Sequence, residues 1–115
     1  MRTAYSPKSH TELARVTIGD DYGHVPGNTY HDIDIVVSTL SDKYRVHVCE
    51  NWGSAQGFDE EHGRREVIGR GNSISEAIAN ARESAGRAGI ETGYLEQALT
   101  QAEDTAEEEV GATNA

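Results

Sequence analysis

The segment from Gly69 to Ala85 places the tightest limits on what this chain can fold into, because several independent local rules agree there. It reads as the end of a strand, a glycine-lined turn and a capped amphipathic helix. Ser73 is placed to accept from the backbone N–H of Glu76 while the Glu76 carboxylate reaches back to Ser73, the reciprocal capping box. Ile74, Ala77, Ile78, Ala81, Ala85 and Ala88 then recur at three- and four-residue spacing as one narrow apolar stripe, with Arg82, Glu83 and Arg87 off it. A face made mostly of alanine must lie close against a sheet.

The preceding residues supply that sheet. From Tyr30 to Leu40, Ile33, Ile35 and Val37 point one way and Asp32, Asp34 and Val36 the other, as in a strand with one buried face. Ser41, Asp42 and Lys43 make a tight connection to a second strand in which Tyr44, Val46 and Val48 alternate with Arg45, His47 and Cys49. Arg65 to Gly69 returns as a third. Between them, Glu50 to Gly63 is either a hairpin extended far beyond the core or a long bulging loop. Residues 13–18 alternate imperfectly and fit a short strand or a helical turn, with strand preferred; Gly19 to Asn28 is rich in turn formers and reads as a surface loop.

Gly86 and Gly89 are expected to end the helix. Thr92 is a candidate cap for a second, in which Leu95, Ala98, Leu99, Ala102 and Ala106 form a stripe before Glu107, Glu108, Glu109 and a frayed end. The expected fold is therefore α+β: a three-stranded antiparallel sheet packed on one long helix, with an acidic C-terminal helix or tail. The divisions are a loose N-terminus over 1–12, the body over 13–90 and the acidic segment over 91–115.

Charge is unevenly placed. Residues 1–90 hold 13 acidic and 10 basic side chains, leaving −3, whereas residues 91–115 hold seven acidic and no basic ones, leaving −7. Such a balance repels phosphate backbones and anionic membranes, because nucleic-acid affinity comes largely from Lys and Arg. One cysteine, Cys49, excludes an internal disulfide, and no apolar run approaches a membrane span or a signal-peptide core. A cytoplasmic protein is expected.

Two families resemble the middle of the chain. Gly69, Arg70, Gly71, Asn72 and Ser73, followed by Ala77 and Ala81, look like the last strand and helix start of double-stranded-RNA-binding domains. That family carries lysines beside the serine; Ile74, Ser75 and Ile78 stand here, so the resemblance implies the fold and argues against RNA binding. The closer similarity is to HicB-like antitoxins, whose Tyr-x-Val-x-Val strand is matched by Tyr44, Val46 and Val48. Their helix pattern is matched by Gly71, Ser73, Glu76, Ala77, Asn80, Ala81 and Glu83. The family's Pro-x-Leu-Pro-Gly-Cys segment is missing and no basic DNA-binding module follows. The match spans about the middle 45 residues and implies a fold class more than a function.

Candidate chemistry is sparse. Asp32 and Asp34 share a strand face about 7 Å apart by the strand rise, within reach of one divalent cation, but they read instead as the polar outer face of a half-buried strand. His47 and Cys49 also share a face, yet i and i+2 neighbours are too far apart for a hydrogen-bonded dyad, and no third orienting group is visible. Gly69-x-Gly71 lacks the third glycine and the lysine of a phosphate loop. No catalytic residue, metal or cofactor is assigned, and the chain is expected not to be an enzyme.

Trp52 and Phe58 beside Glu50, Asp59, Glu60 and Glu61 combine rigid aromatic anchors with a rim of one sign, the pattern useful at an interface; the plainer alternative has Trp52 covering the sheet's end. Glu103, Asp104, Glu107, Glu108 and Glu109 belong to the acidic tail, either a solvated end or carboxylates standing where a nucleic-acid channel expects phosphates. The expected function is a binding protein that inhibits a basic, nucleic-acid-handling protein without touching nucleic acid itself, with a homodimer left open. In composition the chain resembles small acidic phage-encoded inhibitors of host defence, including anti-CRISPR proteins. The alternative is a HicB-like antitoxin that neutralises a small RNA-cleaving toxin.

Overall fold

The computed structural model describes residues 11–21, 29–54, 61–90 and 92–114. Among them are β1 (Thr11–Asp21), β2 (Thr29–Leu40), β3 (Lys43–Ser54), β4 (Glu61–Gly71), α1 (Ile74–Ala88) and α2 (Thr92–Asn114). The strands form one antiparallel sheet in the order β1-β2-β3-β4. Both helices lie on the same face: α1 over β3 and β4, α2 over β1 and β2.

The fold class holds as α+β, with two corrections. The sheet has four strands rather than three, and two helices cover it rather than one. The added strand is β1, whose register against β2 shifts between Glu12 and Ala14. That bulge consumes Leu13 and re-phases the strand, so Ala14, Val16 and Ile18 face inward opposite Val37, Ile35 and Ile33. A broken alternation is what such an irregularity looks like in sequence. The segment from Glu50 onward takes the extended-hairpin form, with β3 running to Ser54 and β4 starting at Glu61.

The inner face of the central strands carries Ile33, Ile35, Val37, Val46 and Val48, all fully buried. Each such side chain contributes about 1.5–3 kcal/mol on leaving water. Over them lie Ile74, Ala77, Ile78, Ala81 and Ala85 of α1 and Leu95, Ala98, Leu99, Ala102 and Ala106 of α2. The C-terminal segment thus shares one core with the strands, since the small stripe of α2 fits against β1 and β2.

Helix α1 starts as its sequence directs, with a variation. Glu76 N–H donates to Ser73 Oγ at 3.1 Å, while the Glu76 carboxylate accepts from the Asn72 N–H at 2.6 Å, one residue earlier than the capping box places it. Asn80 Nδ2 donates to the Arg70 carbonyl at 2.6 Å and ties the helix to the edge strand. Gly86 lies inside the helix and Ala88 is exposed, so neither plays the part its spacing suggested. The end is made at Gly89, which adopts φ 80°, while the Ile90 N–H reaches the Ala85 carbonyl at 3.0 Å and buries Ile90.

The helix sits so close to β4 that a Cβ added to Gly69 would run into the backbone of Ala77 and Ala81. Gly69→Ala is therefore expected to cost about 1–3 kcal/mol of stability through overpacking. Gly86→Ala, with open space around it, is expected to add about 0.5–1 kcal/mol. Urea unfolding of both variants against the parent chain measures the two shifts, which should have opposite signs.

Candidate functional site

Strand phase decides where the sequence-assigned residues go. Glu50 is in phase with Val46 and Val48 on the helix-covered face, opposite Ile33 on β2 and Arg65 on β4. It is only 2% exposed. A carboxylate buried there requires charged or hydrogen-bonding partners. Glu50 Oε2 lies 2.7 Å from His31 Nε2, and Glu50 Oε1 accepts from Arg65 at 3.3 Å. Arg65 also donates to the Gly89 carbonyl at 3.2 Å, so this carboxylate joins the sheet to the end of α1. Glu50 is turned into the molecule and does not stand on a partner-facing rim.

Trp52 occupies the next inner position on β3 and packs against Gly63, its cross-strand neighbour, where a Cβ would overlap the indole. The Arg65 guanidinium carbon sits 4.8 Å from the Trp52 ring centroid, a cation–π contact. On the other side, the His31 and Tyr94 rings lie 5.7 Å apart between centroids. Trp52 thus covers the sheet's end and is half-buried there. Phe58, Asp59 and Glu60 lie outside the described residues, and Glu61 opens β4. The roles of His31 and Arg65 were not legible in the sequence; an acid in phase with two core valines was the signal that partners had to surround it.

The acids of α2 are arranged differently. Asp104, Glu107 and Glu108 are exposed on the side of α2 away from Leu99, Ala102 and Ala106; Glu103 is half-buried and Glu109 is exposed. Among the described residues, Glu103, Asp104, Glu107 and Glu108 have no ion-pair partner. By contrast Glu83 pairs with Arg87 at 2.6 Å and Glu96 with Arg82 at 2.9 Å. The helix has no basic residue in its last turn. Carboxylates three or four positions apart repel by about 0.2–0.5 kcal/mol per pair.

The outer face of the sheet carries the remaining candidates. Asp32 and Asp34 both accept from Asn51 Nδ2, at 3.0 and 3.3 Å, and Asp34 also accepts from Thr17 at 2.5 Å. Protein donors thus occupy the pair, and among the described residues no three His, Cys, Asp or Glu side chains converge as a metal-binding group. His47 Nε2 lies 2.7 Å from Glu66 Oε1, which Arg64 also approaches at 3.2 Å. The His47 hydrogen bond, helped by the Arg64 charge, holds Glu66 below the usual carboxylate range. Cys49 is buried, and that burial pushes its thiol up against the opposing pull of Arg64. The protonated thiol is a poor nucleophile. Among the described residues no helix is long and apolar enough to cross a membrane.

Glu50→Ala is expected to cost roughly 2–3 kcal/mol, less than the 3–5 of a fully buried pair because both partners retain water contact. Chemical denaturation measures the loss, and His31→Ala should lose less. Cys49 is expected to react with a disulfide reagent at pH 7 more than tenfold slower than a free thiol. The rate should climb with pH only beyond the ordinary thiol range of about 8.5, and return to the free-thiol value in denaturant.

Comparison with protein-family models, with curated proteins and with solved structures gave no match, so the functional reading rests on the chemistry of the chain's own residues.

Proposed function

We propose that the chain is a non-enzymatic binding protein whose acidic helix engages and blocks a basic, nucleic-acid-handling partner, in the manner of a phage-encoded inhibitor of host defence. The observation that supports this is the set Asp104, Glu107 and Glu108, solvent-facing on α2 and without an ion-pair partner among the described residues. These carboxylates repel one another; a single lysine four residues on would relieve that cost, and residues 91–115 contain none. Burial of Ala102 and Ala106 beneath them holds the helix in place. The result is a rigid row of negative charge with a spacing set by the helix, suited to steering a cationic surface into register. Phe58, Asp59, Glu60 and Glu61 are kept as partner-binding residues on sequence alone. A cytoplasmic site of action goes with such a partner.

A second reading is a HicB-like antitoxin, favoured by one local observation. Gly71, Glu76 and Asn80 of the resembling motif all act at the junction of β4 and α1: close approach, capping and edge bonding. Co-expression with a short RNA-cleaving toxin, read by survival and intact cellular RNA, separates the two readings.

The test of the first uses the parent chain and a variant with Asp104→Lys, Glu107→Lys and Glu108→Lys as baits in extract of the native host. Basic nucleic-acid-binding proteins identified by mass spectrometry should be held by the parent and lost from the variant. For a captured partner, association at low salt should slow about tenfold or more in the variant, and the salt dependence should flatten. Equal capture, or parent rates that do not change between low and high salt, would sink the proposal.

A further inference from the structure

Among the described residues, five of the seven arginines pair with a carboxylate of the chain. Arg15 pairs with Glu12, Arg64 with Glu66, Arg65 with Glu50, Arg82 with Glu96 and Arg87 with Glu83. Among the described residues two arginines have no acidic partner, Arg45 and Arg70, and the register places them directly opposite each other on β3 and β4. Like charges facing each other across an antiparallel pair destabilise it. The Arg45 Nε is moreover buried without a hydrogen-bond partner. An orphaned, charged donor is among the costlier things a fold retains, and a molecule of net charge −10 has carboxylates to spare for it.

The two arginines flank an open pocket of about 420 Å³ at the turn end of the sheet, with Lys43 as a third cation and Leu40 and Tyr44 as apolar lining. Lys43 Nζ donates to Asn72 Oδ1, which holds its ammonium at this pocket. The Glu76 carboxylate is committed to the Asn72 N–H and is not part of the lining. Three cations converge on one concavity, beside a ring and an aliphatic side chain.

We propose that Lys43, Arg45 and Arg70 form a binding site for a phosphate group. Two arginine forks side by side match the several acceptor oxygens of a phosphate, and the anion cancels the repulsion between them. This site is separate from the acidic helix and does not depend on what that helix binds. The phosphate has two sources of the same chemistry: the free ion, or a small monoester whose organic part rests on Tyr44 and Leu40.

The experiment titrates the full chain, labelled with ¹⁵N, with inorganic phosphate and separately with adenosine 5′-monophosphate, at constant ionic strength set by chloride. Saturable shifts of the amides of residues 43–45 and 70–72 are expected in both titrations, with at least tenfold weaker binding in Arg45→Gln and in Arg70→Gln. Tighter binding of the monophosphate than of phosphate, with adenosine alone inert, supports the site and identifies a monoester; equal affinities support it and identify the free ion. Arg87→Gln, far from the pocket and paired with Glu83, should bind as the parent does. Shifts absent from these residues, reproduced by chloride alone, or undiminished in both arginine variants would overturn the site. The unliganded Arg70→Gln chain should also melt no lower than the parent, because removing one of two facing charges relieves repulsion.

Discussion

Everything on the helical side of the sheet depends on the approach of α1 to β4. Gly69 has no side chain beneath Ala77 and Ala81, and those alanines present almost none in return, so backbone meets backbone. Close packing of this kind gains dispersion contacts on both surfaces and leaves no room for water. It also fixes the helix along the strand, because one step of slippage would bring a larger side chain over the glycine. Capping at Ser73 and the Asn80 bond to the Arg70 carbonyl hold the same register from the two sides of the helix start.

With α1 fixed, α2 has little freedom left. The turn at Gly89 buries Ile90 and sends the chain back across the sheet. Alanines again allow the second helix to settle against β1 and β2. Arg82 bridges to Glu96 between the helices, at a solvent-exposed position where such a pair contributes at most about 1 kcal/mol. The burial of Leu95 and Leu99 does far more to hold α2. One consequence is electrostatic: a helix anchored by its apolar side carries its uncompensated acids at the surface in a fixed row.

Charge then divides the molecule. Arg15, Arg64 and Arg65 of the sheet are each matched to a carboxylate within a few ångströms, and Glu50 acts as an internal clamp joining His31, Arg65 and, through Arg65, the end of α1. Among the described residues, the solvent side of α2 and the facing arginines of β3 and β4 are two places that escape this matching. They are of opposite sign and lie on different layers of the fold.

The local elements were legible because they are properties of short stretches. The stripe through Ile74, Ala77, Ile78, Ala81 and Ala85 is the buried face, and Ile33, Ile35 and Val37 point inward, since burial rewards the period that each backbone imposes. β1 was blurred by the bulge at Leu13, which shifts the phase on which such a reading relies. Glu50 reads as a rim acid because its neighbours in sequence are polar, whereas its neighbours in space are His31 and Arg65. The sequence by itself determined which residues form helices and strands and which side of each is apolar. The tertiary structure alone decided that Glu50 would be enclosed, that Trp52 would lie on Gly63 and that Arg45 would face Arg70. Those pairings follow from strand order and hairpin register, which bring together residues 11 to 25 positions apart that no local periodicity connects.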